Sequence, residues 1–256
     1  MNSLKRYIIT LFVASFFTLL ATSQEIVNEK FDKGVSYFST GKYGEALQVW
    51  SDLYNTGYRS ANLNYNIGNT YFKLNNIPEA ILFYERAYLL NPTNENINYN
   101  LQIARSLIID RFQEIPELFF IRWYNFSALI LSANSWAKIS IGSFIISLLF
   151  LSLYIYSTRF RHKVIGFWLA LFLFIITFLS LAFTIRNKSQ VYNSNKAIIF
   201  SRIVSGKSSP DISGTDLFVL HEGTKVSIND EVGEWYEIKL SDGNKGWVPL
   251  NSLKII

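Results

Sequence analysis

Residues 61–80 read ANLNYNIGNTYFKLNNIPEA, and six of the first sixteen are asparagine: Asn62, Asn64, Asn66, Asn69, Asn75 and Asn76. Asparagine suits neither a helix interior nor a core, because its amide competes for backbone hydrogen bonds. Taken alone, the stretch fits a polar loop or a disordered patch. The rest of the chain changes that reading. Shifted by 34 residues, the sequence matches itself: Gly34 falls on Gly68, Tyr37 on Tyr71 and Ala46 on Ala80, with Trp50 on Tyr84, Gly41 on Asn75 and Tyr43 on Ile77. A third unit continues the period, since NLNYNI at 62–67 aligns with NINYNL at 96–101. Self-similarity at this spacing marks stacked helical units, each burying its apolar face only against its neighbours.

These positions resemble the tetratricopeptide repeat, a pair of antiparallel helices per 34 residues. The resemblance implies an all-α solenoid over residues 24–111, with units at 27–60 and 61–94 and a partial unit at 95–111. Gly34, Gly68, Ala46, Ala80 and Ala87 let helices approach, while Tyr37, Tyr71, Trp50 and Tyr84 fill the space between repeats and Pro92 stops a helix. Tyr58 stands where the first unit should have its proline, and Leu53 where alanine is usual. Gln102 and Arg105 replace the third unit's glycine and tyrosine, so that unit reads as a cap. The short solenoid is expected to finish its core on the membrane-proximal segment.

In such solenoids the first helix of each repeat lines a peptide-holding groove. The resemblance places Asn28, Asn62 and Asn96 there, with Phe31, Tyr65 and Tyr99, with Asp32, Asn66 and Asn100, and with Val35 and Asn69 a turn later. Amides donate and accept, which suits the backbone of a peptide. The positions where some chaperone-binding members grip a terminal carboxylate with basic side chains are Phe31, Asn96 and Asn100, which argues against such a clamp. The competing reading is that the asparagines are tolerated surface residues of an Asn-rich chain.

The net charge of +5 dissolves when divided along the chain. Residues 24–111 carry eight Lys/Arg against nine Asp/Glu, and residues 197–256 carry six against eight. The excess lies at 112–196, eight against two, flanking apolar runs. That is the distribution of membrane-topology signals and argues against a nucleic-acid surface. The start, MNSLKRYIITLFVASFFTLLATSQ, has basic Lys5 and Arg6, a short apolar run and small residues Ala21, Thr22 and Ser23. It reads as a signal peptide over 1–23, cleaved before Gln24, with a retained anchor as the alternative.

Two uncharged runs, at 139–157 and 164–185, are long enough to cross a bilayer, and neither shows a polar face. The six-residue loop between them, 158–163, carries Arg159, Arg161 and Lys163 and is expected in the cytoplasm. Both flanking modules then face the non-cytoplasmic side. Residues 112–138 are unusually aromatic (Phe119, Phe120, Trp123, Tyr124, Phe126, Trp136), fitting either an interfacial helix or a helix packed on the preceding module.

After a polar connector at 186–196, residues 197–256 alternate as strands, with turns such as Asp242-Gly243. Glu222-Gly223-Thr224, Trp235-Tyr236 and Gly246-Trp247-Val248 resemble a bacterial SH3-like barrel, an all-β fold whose members bind cell-wall peptides or proteins, or act only as spacers. Trp235, Tyr236 and Trp247 are the candidate ligand face, with Trp247 open to a core role.

Catalytic chemistry finds little support. The chain has no cysteine, which removes disulfides, thiolate metal sites and thiol nucleophiles. Gly206-Lys207-Ser208 lacks the preceding glycine of a phosphate loop, and His162 and His221 read as isolated. No cofactor or metal is expected, and the chain reads as a non-enzyme. The whole order, a multidomain membrane protein of signal, repeats, transmembrane hairpin and SH3-like barrel, resembles the E-type proteins of the bacterial aerotolerance (Bat) operon. That resemblance implies an inner-membrane location with both modules periplasmic. It also implies work beside membrane-anchored von Willebrand A-domain proteins and a MoxR-type AAA+ ATPase, with a link to oxidative-stress tolerance or envelope assembly. Peptidoglycan is the alternative partner.

Overall fold

A computed structural model of the 256-residue chain describes residues 25–112, 118–192 and 195–256. The expected signal peptide at 1–23 lies outside them. Helix α1 covers 25–39, followed by α2 (Tyr43–Asn55), α3 (Ala61–Lys73), α4 (Ile77–Leu90) and α5 (Glu95–Ser106). Ser60 caps α3 by accepting from the Leu63 N–H, and Asn94 caps α5 by accepting from Asn96 and Ile97. Gly41 (φ 76°) and Asn75 (φ 58°) take the left-handed conformation one repeat apart, each just after a first helix. Asparagine tolerates that region better than other non-glycine residues, so Asn75 does the glycine's work.

Inside each helix pair a glycine makes room for an aromatic ring. A Cβ on Gly34 would fall inside the Trp50 indole, and one on Gly68 would lie 2.7 Å from Tyr84 Cδ1. Trp50 in turn donates its indole N–H to the Phe31 carbonyl at 3.2 Å. The first core holds Ala46, Trp50, Leu53, Leu63 and Ile67. The second holds Ala80, Ile81, Leu82, Tyr84, Leu101 and Ala104, and also Ile198 from the C-terminal sheet. Phe200 and Ile256 pack against this cluster from the same side. The sheet, rather than the membrane-proximal segment, thus completes the short solenoid.

Helices α7 (Ala133–Tyr156) and α8 (Phe160–Tyr192) are long and apolar enough to cross a membrane. They pack antiparallel along a stripe of small residues. Ser140 Oγ donates to the Thr177 carbonyl (3.2 Å), Ser143 and Thr177 hydroxyls meet at 2.8 Å, and Ser147 Oγ donates to the Ala170 carbonyl (2.9 Å). Gly166 approaches the α7 backbone so closely that a Cβ would sit 3.0 Å from the Phe150 carbonyl. The serines are spaced to share one helical face, so the run does carry a narrow polar stripe. Hydroxyl and small-residue contacts of this kind join apolar helices where the hydrophobic effect cannot. Where a polar connector was expected, α8 continues helically through Arg186 to Tyr192.

Helix α6 (Phe119–Leu129) packs on the end of α8. Tyr124 meets Phe183 at 5.4 Å between ring centroids, Arg186 donates to Asn125 Oδ1 (2.7 Å), and Asn187 donates to the Ala128 carbonyl (2.7 Å). Its other face leaves Phe119, Trp123 and Phe126 between 66% and 79% exposed.

Strands β1 (Lys196–Ile199), β2 (Ile203–Lys207), β3 (Asp216–His221), β4 (Lys225–Val232), β5 (Trp235–Lys239), β6 (Lys245–Pro249) and β7 (Leu253–Ile255) form one antiparallel sheet. Its order is β3-β2-β6-β5-β4-β1-β7, with β3 and β7 as unpaired edges. The expected closed barrel is therefore an open sheet. The β7 edge that closure would need is occupied elsewhere: Arg86 of α4 donates to the Ile255 carbonyl at 2.7 Å, and Ile256 joins the helical core.

The glycine–aromatic contact sets a stability test. Gly68→Val forces the side chain against Tyr84 and should lower unfolding stability by about 1–3 kcal/mol. Gly44→Ala, whose Cβ would meet nothing within 4 Å, should be neutral or stabilising by about 0.5–1 kcal/mol in urea unfolding.

Candidate functional site

The sequence-expected groove residues divide sharply in the structure. Asn100 Nδ2 donates to the Tyr65 hydroxyl (3.0 Å) and to Asn69 Oδ1 (2.8 Å), and the Tyr84 hydroxyl donates to the same Asn69 oxygen (2.8 Å). This network borders a cavity of about 290 Å³ walled by Phe38, Phe72, Lys73 and Ile103. Burial, followed by the neighbouring Tyr65, raises the Tyr84 hydroxyl well above the usual tyrosine range.

The other candidates do not join this network. Asn28, Asp32 and Val35 lie exposed on α1, and Phe31 packs its ring on Trp50. Asn62 is exposed and borders a cleft shared with Ile130, Leu131 and Ser132. Asn66 is half-buried, with its carbonyl accepting from Thr70 (2.8 Å). Asn96 and Tyr99 are exposed. Asn64 is buried and donates to the Ser60 carbonyl (2.9 Å).

On the sheet, Trp235 stands opposite Pro249, Tyr236 opposite Val248 and Glu237 opposite Trp247. Side chains alternate along a strand, so Trp235 and Trp247 share one face with Glu237 and Pro249. Tyr236 turns to the other face and packs on the sheet's core. The candidate trio is thus a pair plus a core residue.

The most elaborate polar construction is one the sequence reading missed, the seam between the repeats and the sheet. Glu85 of α4 is 1% exposed and pairs with Arg105 of α5 and, at 2.6 Å, with Lys225 of β4. Burial alone would push this carboxyl up. The two cations outweigh it and hold the group below the usual carboxylate range. The burial of Lys225 pulls its ammonium below the usual lysine range, more than Glu85 restores.

One turn beyond α5, Asp110 Oδ2 accepts from the His221 backbone N–H (2.7 Å) and the Thr224 hydroxyl (2.6 Å), and its Oδ1 lies 2.8 Å from His221 Nδ1. Although burial works against it, these hydrogen bonds keep Asp110 below the usual carboxylate range. Gly223 (φ 87°) lets the turn approach so closely that a Cβ would lie 2.6 Å from Ile108 Cγ2. Lys254 and Glu79 close the rim at 3.9 Å. The local signal was Glu85 itself, a charge inside the apolar face of IPEAILFYERAYLL. Its partner lies 140 residues away, and that of Asp110 111 residues away.

Because Glu85 and Asp110 both titrate lower when folded, their contribution is complete above the ordinary carboxyl range near pH 4 and is lost as pH falls through their folded values. Melting of the detergent-purified chain should hold steady from pH 7 to about 5 and then drop. Glu85→Gln, which leaves Arg105 and Lys225 facing each other, should cost about 3–5 kcal/mol at pH 7 and flatten that acid limb.

A tetratricopeptide repeat model matches residues 61–94, the helix pair α3–α4. A bacterial SH3 domain model matches residues 207–254. No curated protein matches the chain. The two matched modules are of kinds that serve as interaction units, so protein–protein contact, with cell-wall binding as a further possibility, is the function class they suggest.

Proposed function

We propose that this protein is a non-enzymatic scaffold in the bacterial inner membrane, presenting its repeats and its SH3-like sheet as one body on the periplasmic side. The observation that carries this reading is the seam. Modules joined by Glu85–Lys225 and Asp110–His221 occupy the same side of any membrane that α7 and α8 cross. Arg159, Arg161 and Lys163 in and beside the short link between those helices support a cytoplasmic hairpin tip. The groove network of Tyr65, Asn69 and Asn100 is the proposed peptide contact, with amides that can exchange their mutual bonds for those of a backbone. The resemblance to aerotolerance-operon E-type proteins supports von Willebrand A-domain proteins and a MoxR-type ATPase system as partners, in stress tolerance or envelope assembly.

A peptidoglycan tether is the second reading. It is favoured by Trp235 and Trp247 sharing an outward face with Pro249, since paired aromatic faces suit sugar and peptide stacking.

Crosslinking and co-purification of the intact membrane protein discriminate the readings. Asn69→Ala with Asn100→Ala should reduce partner recovery at least about tenfold, while Trp235→Ala with Trp247→Ala leaves it unchanged. A loss of tenfold corresponds to about 1.4 kcal/mol, the scale of one or two hydrogen bonds. Sedimentation of the protein with purified sacculi, abolished by the tryptophan pair and not by the asparagine pair, would favour the tether instead.

A further inference from the structure

A second cleft, of about 890 Å³, opens where α5, α6 and the sheet meet. Its walls carry Arg105, Arg111, Arg122, Lys196, Lys225 and Lys239. Two of these cations, Arg105 and Lys225, are held by Glu85, and Asp110, the one carboxylate lining the cleft among the described residues, is taken up by the His221 turn. Arg111, Arg122 and Lys239 make no ion pair among the described residues. A concentration of positive charge in a concave site this large draws an anion, and arginine forks favour phosphate oxygens.

The position of α6 narrows the choice of anion. Its inner face is bonded to the stretch of α8 where the apolar run gives way to Arg186 and Asn187. Phe119, Trp123 and Phe126 are exposed on the outer face, beside Arg122. Aromatic residues at this depth sit in the headgroup region of a bilayer. A soluble anion would have no use for that apolar stripe, whereas a lipid offers acyl chains to the aromatics and a phosphate to the cations. We infer that this cleft binds the phosphate of an anionic phospholipid headgroup, with Arg111, Arg122 and Lys239 as its contacts. The inference rests on the proposal that α7 and α8 span a membrane.

The test uses the full-length protein purified in neutral detergent, with phosphatidylglycerol or phosphatidylcholine titrated in and bound lipid counted by native mass spectrometry. Wild type should retain phosphatidylglycerol preferentially. Arg111→Gln, Arg122→Gln and Lys239→Gln combined should weaken that retention about a hundredfold, about fivefold for each cation. Arg159→Gln with Arg161→Gln, at the far end of the hairpin, should leave it intact, and Arg122→Lys with Lys239→Arg should restore most of it. Equal retention by wild type and the triple variant, or loss only in the Arg159/Arg161 variant, would overturn the assignment. So would displacement of the lipid by equimolar inorganic phosphate, which would mark a soluble-anion site.

Resistance of the protein to carbonate extraction from native membranes reports on the spanning hairpin separately. Retention in the membrane with no lipid selectivity would defeat the cleft and leave the hairpin standing.

Discussion

The structure turns on one buried carboxylate. Glu85 lies in the packed face of α4, and burying a charge there costs several kcal/mol unless partners replace its water. One partner, Arg105, comes from the next helix of the solenoid, and the other, Lys225, from the sheet. Neither module alone completes the site. The apolar contacts obey the same logic, because Ile198, Phe200 and Ile256 of the sheet close a helical core whose own third repeat stops after one helix. Repeat arrays need an end that hides their last apolar face. Here a β-sheet takes that place, and its β7 edge is covered in return.

This arrangement couples two things that sequence order keeps apart. The hairpin separates the repeats from the sheet by about eighty residues of chain, yet the seam brings them together. An antiparallel hairpin returns the chain to the side it left, so the seam and the hairpin are mutually consistent. Serine and threonine hydroxyls along α7 and α8 fix the hairpin's register. Arg186 and Asn187 then tie α6 to the end of α8, beneath the docked modules.

Local features were legible in the sequence because they repeat. The period of 34 picked out Gly34, Gly68, Trp50 and Tyr84, although it put the rings between repeats and the structure seats them against the glycines inside each helix pair, and it paired Gly41 with Asn75, which share a left-handed backbone. It also placed Tyr65, Asn69 and Asn100 on the first helices of successive repeats, and in the structure their side chains bond to one another. Periodicity could not tell which asparagines turn inward, and Asn62 and Asn96 remain outside the network. Strand alternation already put the adjacent Trp235 and Tyr236 on opposite faces, so that split could have been read from spacing alone. The seam was out of reach for a different reason. A single sequence carries no signal joining Asp110 to His221 or Glu85 to Lys225 across the intervening hairpin, and His221 looked isolated for that reason. Closure of the sheet failed on the same account, since the partner of β7 is a helix far away in sequence.

The absence of cysteine makes the central claim, docking of the sheet on the repeats, directly measurable. Cysteines placed at the rim pair, Glu79→Cys with Lys254→Cys, can be joined by a short bismaleimide in intact membranes. The docked arrangement predicts rapid intramolecular crosslinking at neutral pH, lost when Glu85→Gln is added. No crosslink in the parent pair, or an undiminished one with Glu85→Gln, would contradict it.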